Sequence, residues 1–419
     1  MSTGSLAFII FSVIIVQVVA FALFVFYRRK RQMQKEGVLD ALIQTVEKSK
    51  EVPAWSGFKP FTVQRKVFEN TSKSVCSFYL MPKEDQPLPS FLPGQFLSLK
   101  VQLPSVSASD EMQTVVRCYS LSDRPRKGGY RITVKRALPP ENHPEYPPGR
   151  CSNYLFDHIQ EGDMLEVKAP SGQFYLKTSV RLPIVLIGGG IGITPMLSML
   201  SSLLEQGYTQ NIWLFYGVRD SDEQIMKKHL LSLQQRYKNF HLHVCYSQPK
   251  RQDVEGVDYH CKGYVDINRL KRVLPIQRYQ FYVCGSSAMM ESLVPALEAW
   301  GVAAEHIHYE SFGPSTLHQR NKTKASGSVT EETVVEIDVN FCQTGTTIPW
   351  DVYSESLLEL AENNGISVES GCRSGSCGSC QTRLVSGEIE YISPPEIEVD
   401  AGHCLLCIAK PKSDIVLEA

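Results

Sequence analysis

The chain has 419 residues, 43% hydrophobic and 21% charged, a globular composition that excludes wholesale disorder and predicts roughly two to four domains. Its formal charge of −1 excludes the global basic character of a nucleic-acid-binding protein. That sum conceals an imbalance: from Glu331 onward 16 acidic residues face 4 basic ones, a net of −12, so residues 1–330 carry +11. Twelve cysteines are too few for a disulfide scaffold of this length.

Leu6 to Tyr27 is a 22-residue run with only Ser12 and Gln17 polar. At about 1.5 Å per residue it is long enough to cross a hydrocarbon core of roughly 30 Å. Arg28, Arg29, Lys30, Arg31 and Lys35 follow it. A signal peptide carries its positive charge before the apolar run, so the order predicts a retained single-pass anchor over residues 1–35, with the rest of the chain cytoplasmic. Residues 36–55 read as a polar stalk.

Residues 56–178 read as an antiparallel barrel. Short β-type runs (Val75 to Leu80, Gln95 to Val101, Arg131 to Lys135, Met164 to Val167) are separated by Pro93-Gly94, Gly128-Gly129 and Ser171-Gly172. A helix is expected from Ser152 to Ile159, with Ser152 or Asn153 read first as its N-cap. Residues 179–314 alternate strand and helix, which implies a parallel α/β sheet. Helices are expected at Thr194 to Glu205, Glu223 to Arg236 and Asp266 to Val273. Residues 315–333 are polar and aperiodic, a linker. Residues 334–419 form an α+β unit with a helix near Ser356 to Glu362.

The strongest chemical signal is Cys372-x4-Cys377-x2-Cys380 with a later cysteine. Zinc sites favour paired Cys-x2-Cys knuckles, whereas this is plant-type [2Fe–2S] spacing. Cys404 and Cys407 are both candidates for the fourth ligand, and Cys407 is favoured. Gly188-Gly189-Gly190-Ile191-Gly192-Ile193-Thr194-Pro195 follows a strand and opens a helix, where free N–H groups suit a pyrophosphate. Arg117-Cys118-Tyr119-Ser120-Leu121 lies on a barrel strand and puts a guanidinium and an aromatic ring on one face. Gly149-Arg150-Cys151-Ser152-Asn153 stands before the short helix as a candidate anion site. Cys76, Cys118, Cys151, Cys245, Cys261 and Cys342 read as small buried hydrophobes. The ten histidines read as scattered, without a metal-ligand cluster beyond His403 near Cys407, itself read as structural.

In this order the motifs resemble the ferredoxin–NADP reductase superfamily, and more closely its phthalate dioxygenase reductase type. The resemblance covers nearly everything from Phe61 to Ala419. It implies a flavin barrel, a nicotinamide domain and a C-terminal β-grasp ferredoxin on one chain. It implies that Arg117 contacts the flavin phosphate, Tyr119 packs on the ring, Ser120 reaches the flavin N5 with Leu121 beside it, and Gly149, Ser152 and Asn153 hold the pyrophosphate. Pro170-Ser171-Gly172-Gln173-Phe174 resembles the FAD-using branch, so FAD is favoured over FMN. Gly188, Gly189, Gly190, Gly192, Thr194 and Pro195 would bind the nicotinamide nucleotide, with Thr194 near the nicotinamide. Cys284-Gly285 is similar to the family's turn beside that ring, although Ser286-Ser287 stands where the family commonly continues with Pro. Glu310-Ser311-Phe312-Gly313 resembles the segment closing over the flavin. Ser120, Thr194, Cys284 and Glu310 are thus the candidate catalytic residues. Cys372, Cys377, Cys380 and Cys407 are the candidate metal ligands.

Arg219 suits a 2′-phosphate and Asp220 repels one, and NADH is favoured over NADPH on that balance. The expected function is a membrane-anchored NAD(P)H-dependent reductase passing electrons through FAD and the cluster to an oxygenase, desaturase or hydroxylase partner. The alternatives are a quinone-type respiratory or ion-pumping reductase subunit, whose ferredoxin unit comes first rather than last, and a membrane redox sensor. The acidic ferredoxin unit is expected to swing on the linker towards a basic patch on the acceptor.

Overall fold

The computed structural model describes residues 57–83, 88–104, 112–139, 147–177, 181–312 and 337–419, the last without 352, 353, 355, 367, 374, 376 and 396, together with Gln17, Trp55 and Pro144. The expectation of a membrane-spanning helix is corrected: no helix among the described residues is long and apolar enough to cross a membrane. The single-pass anchor and the membrane localisation therefore have no support among the described residues. Residues 6–27 and the stalk lie outside the described residues, apart from Gln17 and Trp55, as do the linker 315–333 and most of the loop 139–148.

The first sheet follows from two-residue alternation. Strand β1 (Phe58–Phe68) turns Phe61 and Val63 inward and leaves Lys59, Pro60, Gln64 and Arg65 outward. With β2 (Val75–Pro82), β3 (Phe96–Pro104), β4 (Met112–Ser120), β5 (Tyr130–Lys135) and β6 (Met164–Lys168) it forms a six-stranded antiparallel sheet ordered β4-β3-β6-β1-β2-β5. A bridge between Leu121 and Ile132 draws the two ends together, making a half-barrel. Helix α1 (Arg150–Asp157) lies between β5 and β6 in the chain and buries Leu155 and Phe156 in the half-barrel core.

The second sheet is parallel. Its strands are β7 (Ile184–Gly189), β8 (Ile212–Val218), β9 (Phe240–Tyr246), β10 (Cys261–Lys262), β11 (Gln280–Gly285) and β12 (Ile307–Ser311), in the order β10-β9-β8-β7-β11-β12. Alternation sorts β7 between two cores. Ile184 and Leu186 pack with Met196, Leu197 and Leu200 of α2 (Ile193–Glu205). Val185 and Ile187 face the opposite side, which is covered by α4 (Ile267–Val273) and α5 (Ser287–Ala299) through Leu270, Met290 and Leu293. Helix α3 (Lys227–Arg236) joins β8 to β9. Burial on both faces explains why these strands read as continuous apolar runs.

The C-terminal unit has strands β13 (Asp338–Phe341), β14 (Thr346–Pro349), β15 (Gln381–Ser386), β16 (Ile389–Tyr391), β17 (His403–Leu405), β18 (Ala409–Pro411) and β19 (Ile415–Leu417). Five make a mixed sheet ordered β14-β13-β19-β15-β17, and β16 pairs with β18. Helix α6 (Leu357–Asn363) opens on Ser356, whose side chain accepts the Glu359 N–H, a start that the Ser-x-x-Glu spacing supplies. Its Leu357, Leu358, Leu360 and Ala361 fill the core with Phe341 and Cys404.

Candidate functional site

Four residue groups stand at the ends of these elements. On β4, Ser120 is buried and Leu121 follows it into the core. Tyr119 packs against the half-barrel core, and its hydroxyl donates to Cys151 Sγ at 3.5 Å. Burial pushes the Tyr119 phenol well above its ordinary value, so it stays neutral and able to donate. Arg117 is exposed, and its Nη1 donates to the carbonyls of Val116 at 2.7 Å and Ser370 at 3.0 Å.

The N-cap of α1 is Gly149, not Ser152 or Asn153, and no side chain caps the helix. Instead, Ser152 Oγ accepts from Ala137 N–H and donates to the Gly149 carbonyl. Asn153 Nδ2 donates to the carbonyls of Ala137 and Gly149. Both side chains thus fasten the preceding loop to the helix, and the first-turn N–H groups are not taken by a capping oxygen, which suits a pyrophosphate.

The glycine turn after β7 has a physical reason for its composition. A Cβ on Gly192 would stand 2.3 Å from the Cys284 carbonyl oxygen, and one on Gly189 would meet Met289 Sδ at 2.6 Å. The turn and the end of β11 can therefore touch only without side chains. Helix α2 then starts at Ile193 with no side-chain cap and no acid in its first turn. Thr194 is buried and donates to the Ile191 carbonyl at 3.0 Å, and Pro195 is buried beside it. Gly188 and Gly190 complete the turn, Gly190 with φ +54°. Cys284 is fully buried, and burial together with the Glu310 carboxylate pushes its thiol up. Cys284 pairs in register with Glu310, and Phe312 N–H donates to the Gly285 carbonyl at 2.9 Å. This donor set fits a dinucleotide laid across the carboxyl ends of the strands. Past β8, Arg219 lies 4.0 Å from Glu223, and Asp220 accepts the N–H groups of Asp222 and Glu223.

The cysteine loop converges. Cys372 N–H donates to Cys377 Sγ and Cys377 N–H to Cys372 Sγ, both at 3.2 Å. Cys407 Sγ is within hydrogen-bonding reach of both Cys372 and Cys380. Cys404 is fully buried in the domain core. Arg373, Gly375 and Gly378 take positive φ, wrapping the backbone so that amide groups point at sulfur. Four thiols, with N–H donors towards them, fit a [2Fe–2S] cluster.

This loop sits on the half-barrel. Lys168 Nζ donates to the Cys377 carbonyl at 2.7 Å. Cys118 Sγ is in hydrogen-bonding reach of Cys377 Sγ, and its thiol also meets Ser98 Oγ at 3.4 Å. Two cysteine readings are thereby corrected: Cys118 is half-exposed and faces the cluster loop, and Cys342 is exposed. Lys168 was missed by sequence reasoning; its signal was only the outward place of Glu166 and Lys168 in the alternation of β6.

Family models match three stretches: an oxidoreductase FAD-binding domain over residues 60–175, an oxidoreductase NAD-binding domain over 186–294 and a 2Fe-2S iron–sulfur cluster binding domain over 339–412. Among curated proteins, a flavohemoprotein of Bacillus cereus is 39% identical over 265 residues, 63% of each chain. A flavohemoprotein of Halalkalibacterium halodurans is 36% identical over 285 residues, 67% of each chain. The chain thus spans less than two thirds of the length of the Bacillus cereus relative. Among solved structures, phthalate dioxygenase reductase, described as a modular structure for electron transfer from pyridine nucleotides to [2Fe-2S], aligns with 87% of this chain and 98% of its own at TM-score 0.51 and 26% identity. The FAD/NAD-binding domain of nitric oxide dioxygenase from Vibrio cholerae aligns with 61% of this chain and 99% of its own at TM-score 0.52 and 30% identity. The chain belongs to the ferredoxin–NADP reductase superfamily. Its FAD-binding, NAD-binding and 2Fe-2S domains support FAD, a nicotinamide nucleotide and a [2Fe–2S] cluster as cofactors.

Proposed function

We propose that this member of the ferredoxin–NADP reductase superfamily hands electrons from NADH, through FAD and the cluster, to a separate protein acceptor, an oxygenase, desaturase or hydroxylase component. When bound, FAD takes two electrons from a nicotinamide and gives them singly to an iron–sulfur cluster. The chain's own residues bind and orient. Tyr119 and Ser120 line the flavin ring, with Leu121 behind them. Arg117 has five N–H donors, and the contacts described above use Nη1 alone, so its guanidinium reaches the flavin phosphate from the same strand. Gly149, Ser152 and Asn153 set the α1 amides against the pyrophosphate. The turn from Gly188 to Pro195, with Cys284 and Gly285, carries the nicotinamide nucleotide. Buried Thr194 and neutral Cys284 exclude water there, and Glu310 and Phe312 close the flavin side. Cys372, Cys377, Cys380 and Cys407 hold the cluster.

The reading is carried by the seat of the cluster loop on β4 and β6, where Arg117 and Lys168 hold the carbonyls of Ser370 and Cys377. That contact brings the cluster ligands against the strand assigned to the flavin. Anaerobic mixing of the purified, cofactor-replete protein with NADH tests it. Flavin bleaching followed by the electron-paramagnetic-resonance signal of a reduced [2Fe–2S] centre is expected. A flavin that reduces while the cluster stays oxidised would overturn the relay. A second reading, an acceptor that carries haem, is favoured by the likeness to flavohemoproteins over 63% of the chain. Co-purification of the acceptor and a spectrum of what is captured separate the two.

A further inference from the structure

The edge of the parallel sheet holds a cluster of side chains that the relay does not use. Alternation along β9 places His241, His243 and Cys245 on one face. The edge strand β10 pairs in parallel with β9 and sets Cys261 opposite Cys245. The Cys245 and Cys261 sulfurs are 2.8 Å apart, and His243 Nε2 is 3.5 Å from Cys261 Sγ. All three ligand atoms lie within 4.8 Å of one another. Both cysteines are buried and His243 is half-buried. The His260 ring lies against His243 at 4.9 Å between centroids, and its Nδ1 accepts the Val244 N–H. Cys245 and Cys261 are buried as expected, but the reading of the histidines as scattered is corrected at His243.

We infer that His243, Cys245 and Cys261 form a binding site for a transition-metal ion of the zinc class. Two sulfurs and one imidazole nitrogen are the donors that borderline-soft cations prefer. Ligands at about 2.3 Å for sulfur and 2.0–2.1 Å for nitrogen around a tetrahedral ion stand roughly 3.5–3.8 Å from one another, which the His243–Cys261 separation already meets and a small turn of the Cys245 side chain completes. On binding, each thiol loses its proton and gains a bond to the metal. One divalent cation with two thiolates carries no net charge, so the site stays compatible with its buried face. A disulfide between the two cysteines would leave His243 without a part; a metal uses all three. The ion would pin the edge strand to its neighbour and stabilise the nucleotide domain.

The test uses the full chain with FAD and cluster in place, kept anaerobic and titrated with Zn²⁺ alone. Zinc-edge X-ray absorption is blind to iron and flavin. The expected result is one zinc per chain in a shell of two sulfurs near 2.3 Å and nitrogen or oxygen near 2.0–2.1 Å, with a zinc-dependent rise in melting temperature. Cys261→Ser and His243→Gln should each weaken zinc at least tenfold while iron and FAD contents hold. The half-buried His243 position keeps the test valid if the serine variant folds poorly. A wild type that retains no zinc, equal zinc in wild type and His243→Gln, a four-sulfur shell from the cluster loop, or a mass loss of about 2 Da reporting a disulfide instead of metal would each overturn the site.

Discussion

Lys168, at the end of the half-barrel strand β6, donates its Nζ–H to the main-chain carbonyl of Cys377 at 2.7 Å, so a cation of one domain holds the peptide that carries a cluster ligand of another. A charge-assisted hydrogen bond of this kind contributes about 1.5–3 kcal/mol. Its loss should loosen the seat of the loop and slow flavin-to-cluster transfer. Lys168→Met is expected to lower that rate about tenfold in anaerobic stopped flow and leave reduction of the flavin by NADH unchanged. Equal rates in variant and wild type would show that Lys168 does not position the loop.

The two late cysteines differ in their neighbours. Both are buried in the domain core, but Cys407 also reaches Cys372 and Cys380. Cys407→Ser should abolish or bleach the cluster, read as iron per FAD falling towards zero. Cys404→Ser should keep full iron and lose only stability, by about 1–3 kcal/mol for a hydroxyl left in an apolar core. Full iron in the Cys407 variant would reassign the fourth ligand.

Much of this arrangement was legible because it is local. The glycine turn from Gly188 to Gly192 and the Cys372-x4-Cys377-x2-Cys380 loop need only a few consecutive residues to show their purpose. What stayed hidden depends on distant returns of the chain. Lys168 and Cys377 are 209 positions apart, and no periodicity links them. Alternation placed His243 beside Cys245, but Cys261 joins them only after a loop brings the edge strand back. Helix α3 starts at Lys227 rather than Glu223 for a local reason instead. Asp220 takes the N–H groups of Asp222 and Glu223, and Met226 adopts φ +53°, which holds the preceding residues in a turn.

Gly192 should not tolerate a side chain. An added Cβ would stand 2.3 Å from the Cys284 carbonyl oxygen, 2.5 Å from its carbon and 2.8 Å from Gly285 N. These are backbone atoms and cannot rotate away. Gly192→Ala should push the turn off the end of β11, costing about 1–3 kcal/mol as other overpacked substitutions do. NADH affinity should fall at least tenfold with the FAD content unchanged. A titration showing wild-type NADH affinity would mean that the turn and β11 need not touch for binding.

His308 makes stability depend on pH. Its ring lies 4.7 Å from that of Tyr282, and burial, with Lys177 and His306 adding to it, pushes the imidazole down from 6.5 to about 4. Unfolded chains bind that proton near the ordinary value, whereas the folded chain does so only near the lowered one. Between the two, the unfolded state holds more protons, so the stability present above pH 6.5 declines as pH falls towards 4. His308→Phe keeps an aromatic ring on Tyr282 and removes the titration. The drop in melting temperature between pH 7 and pH 5 should then shrink by about 3 °C, the scale on which 1 kcal/mol moves a domain of this size. Melting curves with the same pH slope in variant and wild type would place the acid sensitivity on other groups.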